Sequence, residues 1–197
     1  MTKDTFPELF IIESLTFEDE RGRKLEGEIL RDILALSGRP ADYIYIRTEK
    51  EFVAALDQFY DTQKRYLHIS CHGDPANVSL TLDRLSFSRF GELVRNHLNQ
   101  RRLFFSACEV VNDSLAEKVL IGSDCYSLIG PKDQIRIDDA VLMWASFYHL
   151  MFRDGEDSMK GGKIRWALRR VKSAFEAEFD YFKPEGGRFI KVDIEER

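Results

Sequence analysis

The chain has 197 residues, of which 44% are hydrophobic and 32% are charged, a composition typical of a globular protein and not of a disordered one. Lys and Arg number 29 and Asp and Glu number 34, so the net charge of −5 gives no sign of nucleic-acid binding. The longest apolar run, residues 140–152, is shorter than the ~20 residues that a membrane-spanning helix needs, so we expect no membrane partner.

The N-terminal residues and the cysteines indicate in which cellular compartment the protein is expected. The first ten residues carry charges where a signal peptide would have its apolar core. Cys71, Cys108 and Cys125 are odd in number and widely spaced, which favours reduced thiols over a disulfide framework. We therefore expect a cytoplasmic protein with one domain that spans residues 1–197.

The first part of the chain alternates between strand and helix patterns. A strand is predicted at 8–17, a helix at 18–36, a second strand at 41–48 and a second helix at 49–61. In the first helix, apolar residues spaced by three or four predict the buried face: Leu25, Ile29, Ile33 and Leu36.

The rest of the chain continues this alternation and adds a hairpin. In order, we predict a strand at 65–71, a hairpin within 78–88, a helix at 89–99, strands at 102–108 and 126–130, helices at 138–152 and 160–178, and an edge strand at 186–194. Strands separated by helices indicate a mostly parallel sheet with helices on both faces. The predicted fold class is a doubly wound α/β domain of about six strands.

Reactive side chains follow two consecutive strands of this sheet. The third strand leads into Cys71-His72-Gly73, and the fourth ends in Cys108. The carboxyl ends of parallel strands meet at one edge of a sheet, where catalytic groups gather. Because successive side chains on a strand point to opposite faces, Cys71 is a poor partner for His72, whereas Cys108 can reach it.

These residue types suit nucleophilic catalysis. A thiol with an ordinary pKa of ~8.5 becomes nucleophilic when an imidazole takes its proton or pairs with the thiolate. Without a Cβ, Gly73 lets the backbone approach a substrate, where its N–H can stabilise an oxyanion.

The segments "YLHISCHG" and "LFFSACE" resemble the two blocks that carry the His/Cys dyad of caspase-like (clan CD) cysteine peptidases. Within that clan they are most similar to the blocks of CHAT domains. The similarity extends over roughly 60–178, including the Phe147-Tyr148 pair and the helical segment 164–175. The Q-A-C-x-G signature of true caspases is replaced by "SACEV".

The resemblance implies a three-layer caspase-like fold and a cysteine-type endopeptidase. It implies that His72 is the general base, that Cys108 is the nucleophile, and that the backbone N–H groups of Gly73 and Cys108 bind the oxyanion. No metal or organic cofactor is required. The substrate is then a protein or peptide, and a regulatory protein partner is expected because an unrestrained intracellular protease is toxic.

Acidic residues near the turn after the fifth strand are candidates for selecting the side chain of the substrate. In related peptidases an acid in this region selects Arg or Lys, which makes Asp133 and Asp138, together with Asp139, candidate substrate-binding residues. An alternative is that Asp138 only begins the following helix, where an anion near the N-terminus is favourable.

Two other interpretations stay open. His68, Cys71, His72 and Cys108 could form a metal site, although structural zinc motifs bring paired ligands at short spacing, and no second such pair exists here. We expect His68 and Cys71 to pack inside instead. The alternative function is a catalytically silent caspase-like module that binds partners through its sheet edge or its long helices.

Overall fold

The structure, a computed structural model, describes residues 5–153 and 159–195. Its strands are β1 (Phe6–Ser14), β2 (Asp42–Tyr45), β3 (Lys64–Asp74), β4 (Asn77–Ser79), β5 (Arg84–Ser86), β6 (Arg102–Ser106), β7 (Ser127–Pro131), β8 (Phe179–Glu185) and β9 (Arg188–Lys191). They form one sheet in the order β2-β1-β3-β6-β7-β8-β9, with the β4–β5 hairpin attached to the end of β3. The first five strands of this order are parallel, and β8 and β9 are antiparallel.

Helices cover both faces of the sheet. They are α1 (Phe17–Arg21), α2 (Glu26–Leu36), α3 (Glu49–Thr62), α4 (Phe87–Val94), α5 (Asp113–Leu120), α6 (Ile137–Phe152) and α7 (Gly161–Phe175), and a short 3₁₀ turn, Arg95–His97, follows α4. Apolar side chains of α3, α4 and α5 pack on one face, and those of α2, α6 and α7 pack on the other. The predicted fold class, a mostly parallel α/β sheet between two helical layers, is confirmed.

The segment 18–36 was predicted as one helix, and the structure divides it into α1 and α2 around residues 22–25. Thr16 begins α1, since its side chain accepts a hydrogen bond from the Asp19 N–H at 3.2 Å. The predicted buried face is also wrong, because Ile29 is 40% exposed and Leu36 is 89% exposed.

The buried stripe of α2 consists of Gly27, Leu30 and Leu34. A Cβ on Gly27 would lie 2.9 Å from Ile11 Cγ2 of β1, so the glycine allows α2 to approach the sheet closely. This approach rotates the helix and turns Ile29 towards solvent.

Two further elements were not predicted: α5, which Asn112 caps, and β8. The sheet is therefore larger than the six strands expected, because the hairpin joins it and β8 pairs with β7. The predicted edge strand at 186–194 corresponds to the shorter β9, which ends the sheet. No helix within the described ranges has both the length and the apolar character to cross a membrane.

Candidate active site

His72 lies in β3, and Cys108 lies two residues after the end of β6. Ser70 lies opposite Ser106 in the parallel β3–β6 pair, so His72 and Cys108 both follow the last paired positions of two adjacent strands. Both residues line one cavity of about 500 Å³. The structure therefore brings together the two predicted catalytic side chains.

Cys71, which neighbours His72 on β3, also lines this cavity. Cys71 is 5% exposed and belongs to the apolar cluster under α3, α4 and α5, where burial raises the pKa of its thiol. Cys125 is also buried, and burial raises its pKa to about 12. Cys108 is half-buried. The expectation that Cys71 packs inside is confirmed, and Cys108 is the most accessible of the three thiols.

The thiol of Cys108 contacts the loop between β7 and α6. The Ile135 N–H donates to Cys108 Sγ at 3.5 Å, and Sγ lies 3.7 Å from the Ile135 carbonyl oxygen. Within the described part of the chain, these are the hydrogen bonds of the thiol, and none joins it to His72. The backbone N–H and carbonyl oxygen of Ile135 thus both lie against the sulfur.

His72 has a carboxylate partner that was not predicted. Asp19 Oδ2 lies 2.8 Å from His72 Nε2 and also accepts a hydrogen bond from the Thr16 hydroxyl at 2.5 Å. Lys24 Nζ lies 3.4 Å from the other carboxylate oxygen. Burial raises the pKa of Asp19, but the hydrogen bonds from Thr16 and His72 outweigh burial, and the net effect lowers its pKa.

The signal for Asp19 in the sequence is local. Thr16 and Asp19 match the S/T-x-x-D/E pattern of a helix start, which could have indicated that α1 begins there. The contact with His72 depends on the break at residues 22–25, which separates α1 from α2 and leaves Asp19 beside the end of β3.

A second carboxylate that was not predicted forms part of the cavity wall. Glu26 is 3% exposed, and its Oε2 accepts a hydrogen bond from the Ser70 hydroxyl at 2.8 Å. Its Oε1 accepts no hydrogen bond from the described residues and lies 3.8 Å from His68 Nε2.

Glu13 lies behind Glu26 and is fully buried. Its carboxylate accepts hydrogen bonds from the Gly27 N–H at 2.7 Å and from the Tyr43 hydroxyl at 2.8 Å, and Ser70 Oγ lies 3.3 Å away. Burial raises the pKa of Glu13 to about 7, although these hydrogen bonds oppose the rise.

The acids predicted for substrate binding occupy different places. Asp138 lines the cavity, but its carboxylate is exposed and accepts two hydrogen bonds from Arg136, at 3.1 and 2.9 Å. It also lies in the first turn of α6, as the alternative prediction had it. Asp133 is exposed and is not among the cavity-lining residues.

Gly73 has a packing role of its own. A Cβ at this position would lie 2.2 Å from Val110 Cγ2, so the close contact of β3 with the segment after β6 excludes a side chain. Gly73 is not among the residues that line the cavity. The predicted oxyanion role concerns only its backbone N–H.

His68 packs inside, as expected. It is fully buried, its Nδ1 lies 2.9 Å from the Tyr148 hydroxyl, and its ring meets the Trp144 ring edge-on. In the described part of the chain, no group of three or more His, Cys, Asp or Glu side chains is arranged to hold a metal ion.

Comparison with known proteins supports the fold. No protein-family model and no curated protein matches the sequence. The structure is similar to the X-ray structure of a secreted C11 cysteine protease from Bacteroides thetaiotaomicron in complex with an irreversible peptide inhibitor, with a TM-score of 0.52 and 9% sequence identity. The match covers 89% of this chain and 66% of that chain.

At this identity the likeness concerns the fold alone, which is caspase-like. The chain spans 66% of the length of the protein that it matches. The finer resemblance to CHAT domains has no support from a family model.

Proposed function

We propose that this chain is a cysteine-type endopeptidase that uses His72 and Cys108. The observation that carries the proposal is the cavity in which the most accessible thiol of the chain and the Asp19-bound imidazole lie at adjacent strand ends. The likeness of the fold to that of a cysteine protease adds support. We keep the CHAT-type assignment and a cytoplasmic location as parts of this proposal.

The contact with Asp19 indicates which nitrogen of the His72 ring carries the proton. If Nε2–H donates to the Asp19 carboxylate, Nδ1 is left as the basic nitrogen. His72 Nδ1 then takes the thiol proton while Cys108 Sγ bonds to the carbonyl carbon of the substrate. The backbone N–H groups of Gly73 and Cys108 stabilise the oxyanion.

The remaining steps return every group to its starting state. The C–N bond of the substrate breaks, and the proton on His72 passes to the leaving amine. Water then attacks the thioester with His72 as base, and the acid product leaves Cys108 as a thiol. The residues of the chain supply each proton transfer in this sequence.

We propose that the enzyme cleaves after a basic residue and that Glu26 binds that residue. Glu26 is buried at the cavity wall, and its Oε1 accepts no hydrogen bond from the described residues, whereas Asp138 is exposed and already paired with Arg136. A guanidinium or ammonium group that donates to this oxygen forms a strong, directional contact. Asp133 and Asp138 would then have at most a secondary part in specificity.

The specificity proposal is tested with peptide substrates that carry either Arg or norleucine before the cleaved bond. In Glu26→Gln we expect kcat/KM for the Arg substrate to fall by at least about 10²-fold, since the lost contact is charged and buried. The norleucine substrate should be affected much less. Asp138→Asn is the matched control and should keep the preference for Arg; the reverse result would return specificity to Asp138.

Control by a protein partner is also part of the proposal. The Ile135 backbone hydrogen bonds to the Cys108 thiol, and we propose that this contact is released when the loop after β7 moves. A partner that displaces this loop would activate the enzyme. A thiol bonded to its own chain fits an enzyme that rests until it is engaged.

The same contact favours a second function. A catalytically silent caspase-like module would keep the fold and would not need Cys108 free to bond to His72. The two functions are separated by hydrolysis of fluorogenic peptides, measured with wild type, Cys108→Ala and His72→Ala. The peptidase proposal predicts activity that both substitutions abolish, whereas activity that survives both would contradict the assignment of the dyad.

A further inference from the structure

His68 connects Glu26 to helix α6. It lies on β3, with Nδ1 2.9 Å from the hydroxyl of Tyr148 in α6 and Nε2 3.8 Å from Glu26 Oε1, at the start of α2. His68 and Tyr148 are fully buried, and Glu26 is 3% exposed. The three side chains therefore form a buried row, the Tyr148–His68–Glu26 row, which ends at the wall of the cavity that His72 and Cys108 line.

The Tyr148 hydroxyl determines which nitrogen of the His68 ring carries the proton. Burial raises the pKa of this hydroxyl well above its usual range, and the charge of Glu26 adds to the rise, so the oxygen keeps its proton. Among the described residues, the hydrogen-bond partner of the hydroxyl is His68 Nδ1. When the O–H donates to Nδ1, a neutral ring carries its own proton on Nε2.

The Nε2–H group faces the carboxylate of Glu26. Neither Nε2 nor Oε1 makes a hydrogen bond with the described residues. At 3.8 Å the two atoms are too far apart for a hydrogen bond, but the N–H dipole still stabilises a negative charge in the poorly hydrated interior. The other tautomer would place a nitrogen lone pair against the carboxylate. The contact thus supports the charge of Glu26 and leaves Oε1 able to accept a hydrogen bond from a ligand.

Two neighbouring contacts hold these groups in place. Ser70, two residues after His68 and on the same side of β3, donates a hydrogen bond to Glu26 Oε2 at 2.8 Å. The His68 ring meets the Trp144 ring edge-on, with 5.1 Å between the ring centroids. The carboxylate is therefore fixed through Oε2, and the imidazole is fixed beside Oε1.

We propose that His68 and Tyr148 are positioning residues for Glu26: they stabilise the charge of its carboxylate and keep Oε1 oriented towards a guanidinium in the cavity. This inference rests on the proposed function, since it concerns the carboxylate that we assign to the basic residue of the substrate. Tyr148 acts through His68, and His68 acts through Glu26.

Two other roles of the row would have different consequences. A His68 ring with protons on both nitrogens would form an ion pair with Glu26 and cancel the charge that attracts a basic side chain. A ring that only fills space in the core could be replaced without changing the choice of substrate. The protonation of His68 and the substrate preference of variants distinguish these roles from the proposed one.

The first test uses peptide substrates with Arg or norleucine before the cleaved bond. In Tyr148→Phe, which removes only the hydroxyl, we expect the ratio of kcat/KM for Arg to kcat/KM for norleucine to fall by roughly five- to tenfold. His68→Met should lower this ratio at least as much, whereas His68→Gln keeps an N–H donor and should retain more of it. Tyr66→Phe is the matched control, because its buried hydroxyl accepts from the Met159 N–H instead, and it should leave the ratio unchanged.

Failure of this inference and failure of the proposed function give different results. Activity that survives Cys108→Ala and His72→Ala would contradict the peptidase assignment. A Glu26→Gln variant that keeps the preference for Arg would contradict the role of Glu26. Loss of the preference in Glu26→Gln, with the preference intact in Tyr148→Phe, would overturn the positioning role alone.

The second test needs no hydrolysis. The full chain is labelled with ¹⁵N-histidine, and its four histidines are observed by NMR, with His68→Gln to assign the signals of His68. We expect a neutral ring with its proton on Nε2, and an Nε2–H signal that moves when agmatine, which carries a guanidinium, is added to wild type but not to Glu26→Gln. A proton on Nδ1, protons on both nitrogens, or a His68 signal that agmatine leaves unchanged would each overturn the inference.

Discussion

In strand β3, Leu67, Ile69 and Cys71 belong to the apolar cluster under α3, α4 and α5, whereas the side chains of His68 and Ser70 bond to Tyr148 and Glu26 on the other side of the sheet. Strand β6 repeats this division, since Leu103 and Phe105 belong to the first cluster and Phe104 belongs to the cluster on the other face. The side under α3, α4 and α5 is an apolar core near the strand ends. The side under α2 and α6 carries the polar groups.

The two sides of the sheet differ in how many polar groups they bury, and buried polar groups lower the stability of the fold. Glu13, Glu26, His68 and Ser70 are almost fully buried on the polar side, and Glu26 Oε1 and His68 Nε2 make no hydrogen bond with the described residues. Burying such groups is unfavourable, and proteins retain them mainly where they serve a site. Activity should therefore depend on the polar side and stability on the apolar side.

The largest expected effect comes from removing the carboxylate beside His72. In Asp19→Asn we expect kcat/KM to fall by at least about 10²-fold, because the ring loses the group that orients it and fixes its tautomer. Kinetics of peptide hydrolysis measure the effect.

The matched control is Cys71→Ala, whose side chain packs in the apolar cluster under α3, α4 and α5. It removes a buried thiol that neighbours His72 in sequence, and its activity should stay within about threefold of wild type. An Asp19→Asn variant with wild-type activity would show that Asp19 only packs against the ring. The result would mean that the Asp19–His72 contact matters no more to activity than the packing of Cys71.

The next largest effect is on stability and concerns Gly73. Adding a Cβ places it 2.2 Å from Val110 Cγ2, so Gly73→Ala should lower the free energy of unfolding by about 1–3 kcal/mol through overpacking. Val110→Ala removes the clashing methyl, so the double variant should lose less than the sum of the two single variants. Urea denaturation measures the three values.

Gly162→Ala serves as the control for this cycle, because a Cβ on Gly162 meets no atom of the described residues within 4 Å. Its stability should equal or slightly exceed that of wild type, given the better helix propensity of alanine. Additive losses in Gly73→Ala and Val110→Ala would contradict the assigned contact.

A smaller effect is expected from the buried acid behind the cavity. The pKa of Glu13 is raised by burial from 4.5 to about 7, so its stabilising contribution is complete below pH 4.5 and is lost as the pH rises through about 7. Glu13→Gln lacks this ionisation. Its free energy of unfolding relative to wild type should therefore increase by about 1–3 kcal/mol between pH 5 and pH 8.

The control is the exposed carboxylate of Glu51, whose pKa is lowered by its hydrogen bonds with the backbone of Arg47 and the side chain of Thr48. Its titration lies below pH 5, so the stability of Glu51→Gln relative to wild type should stay constant over the same range. A constant difference for Glu13→Gln would mean that Glu13 ionises in the folded protein as it does in the unfolded chain.

The architecture near the site was accessible from the sequence because its patterns are local. Strand alternation predicted that Cys71 turns away from His72, and parallel strand ends predicted that His72 and Cys108 would meet. Cys71 is buried, as predicted, but it lines the same cavity as His72 and Cys108. The catalytic roles of the two residues stay predictions.

The residues that were missed depend on contacts distant in sequence. The apolar spacing of Ile29 and Leu36 predicted one helix face, but the close approach of Gly27 to β1 selects another, and Glu26 reaches the cavity as a result. The contact of Asp19 with His72 likewise needs the chain to break between α1 and α2. Helical periodicity carries no information about either event.

The central claim is that Cys108 and His72 form a working pair, and covalent labelling tests it most directly. The protein is treated with a set of thiol-reactive peptide probes that differ in the residue before the reactive group, and the modified cysteine is mapped by mass spectrometry. We predict labelling of Cys108 that disappears in His72→Ala and survives in Cys71→Ala. Labelling of Cys71, or of none of the three cysteines, would contradict the claim.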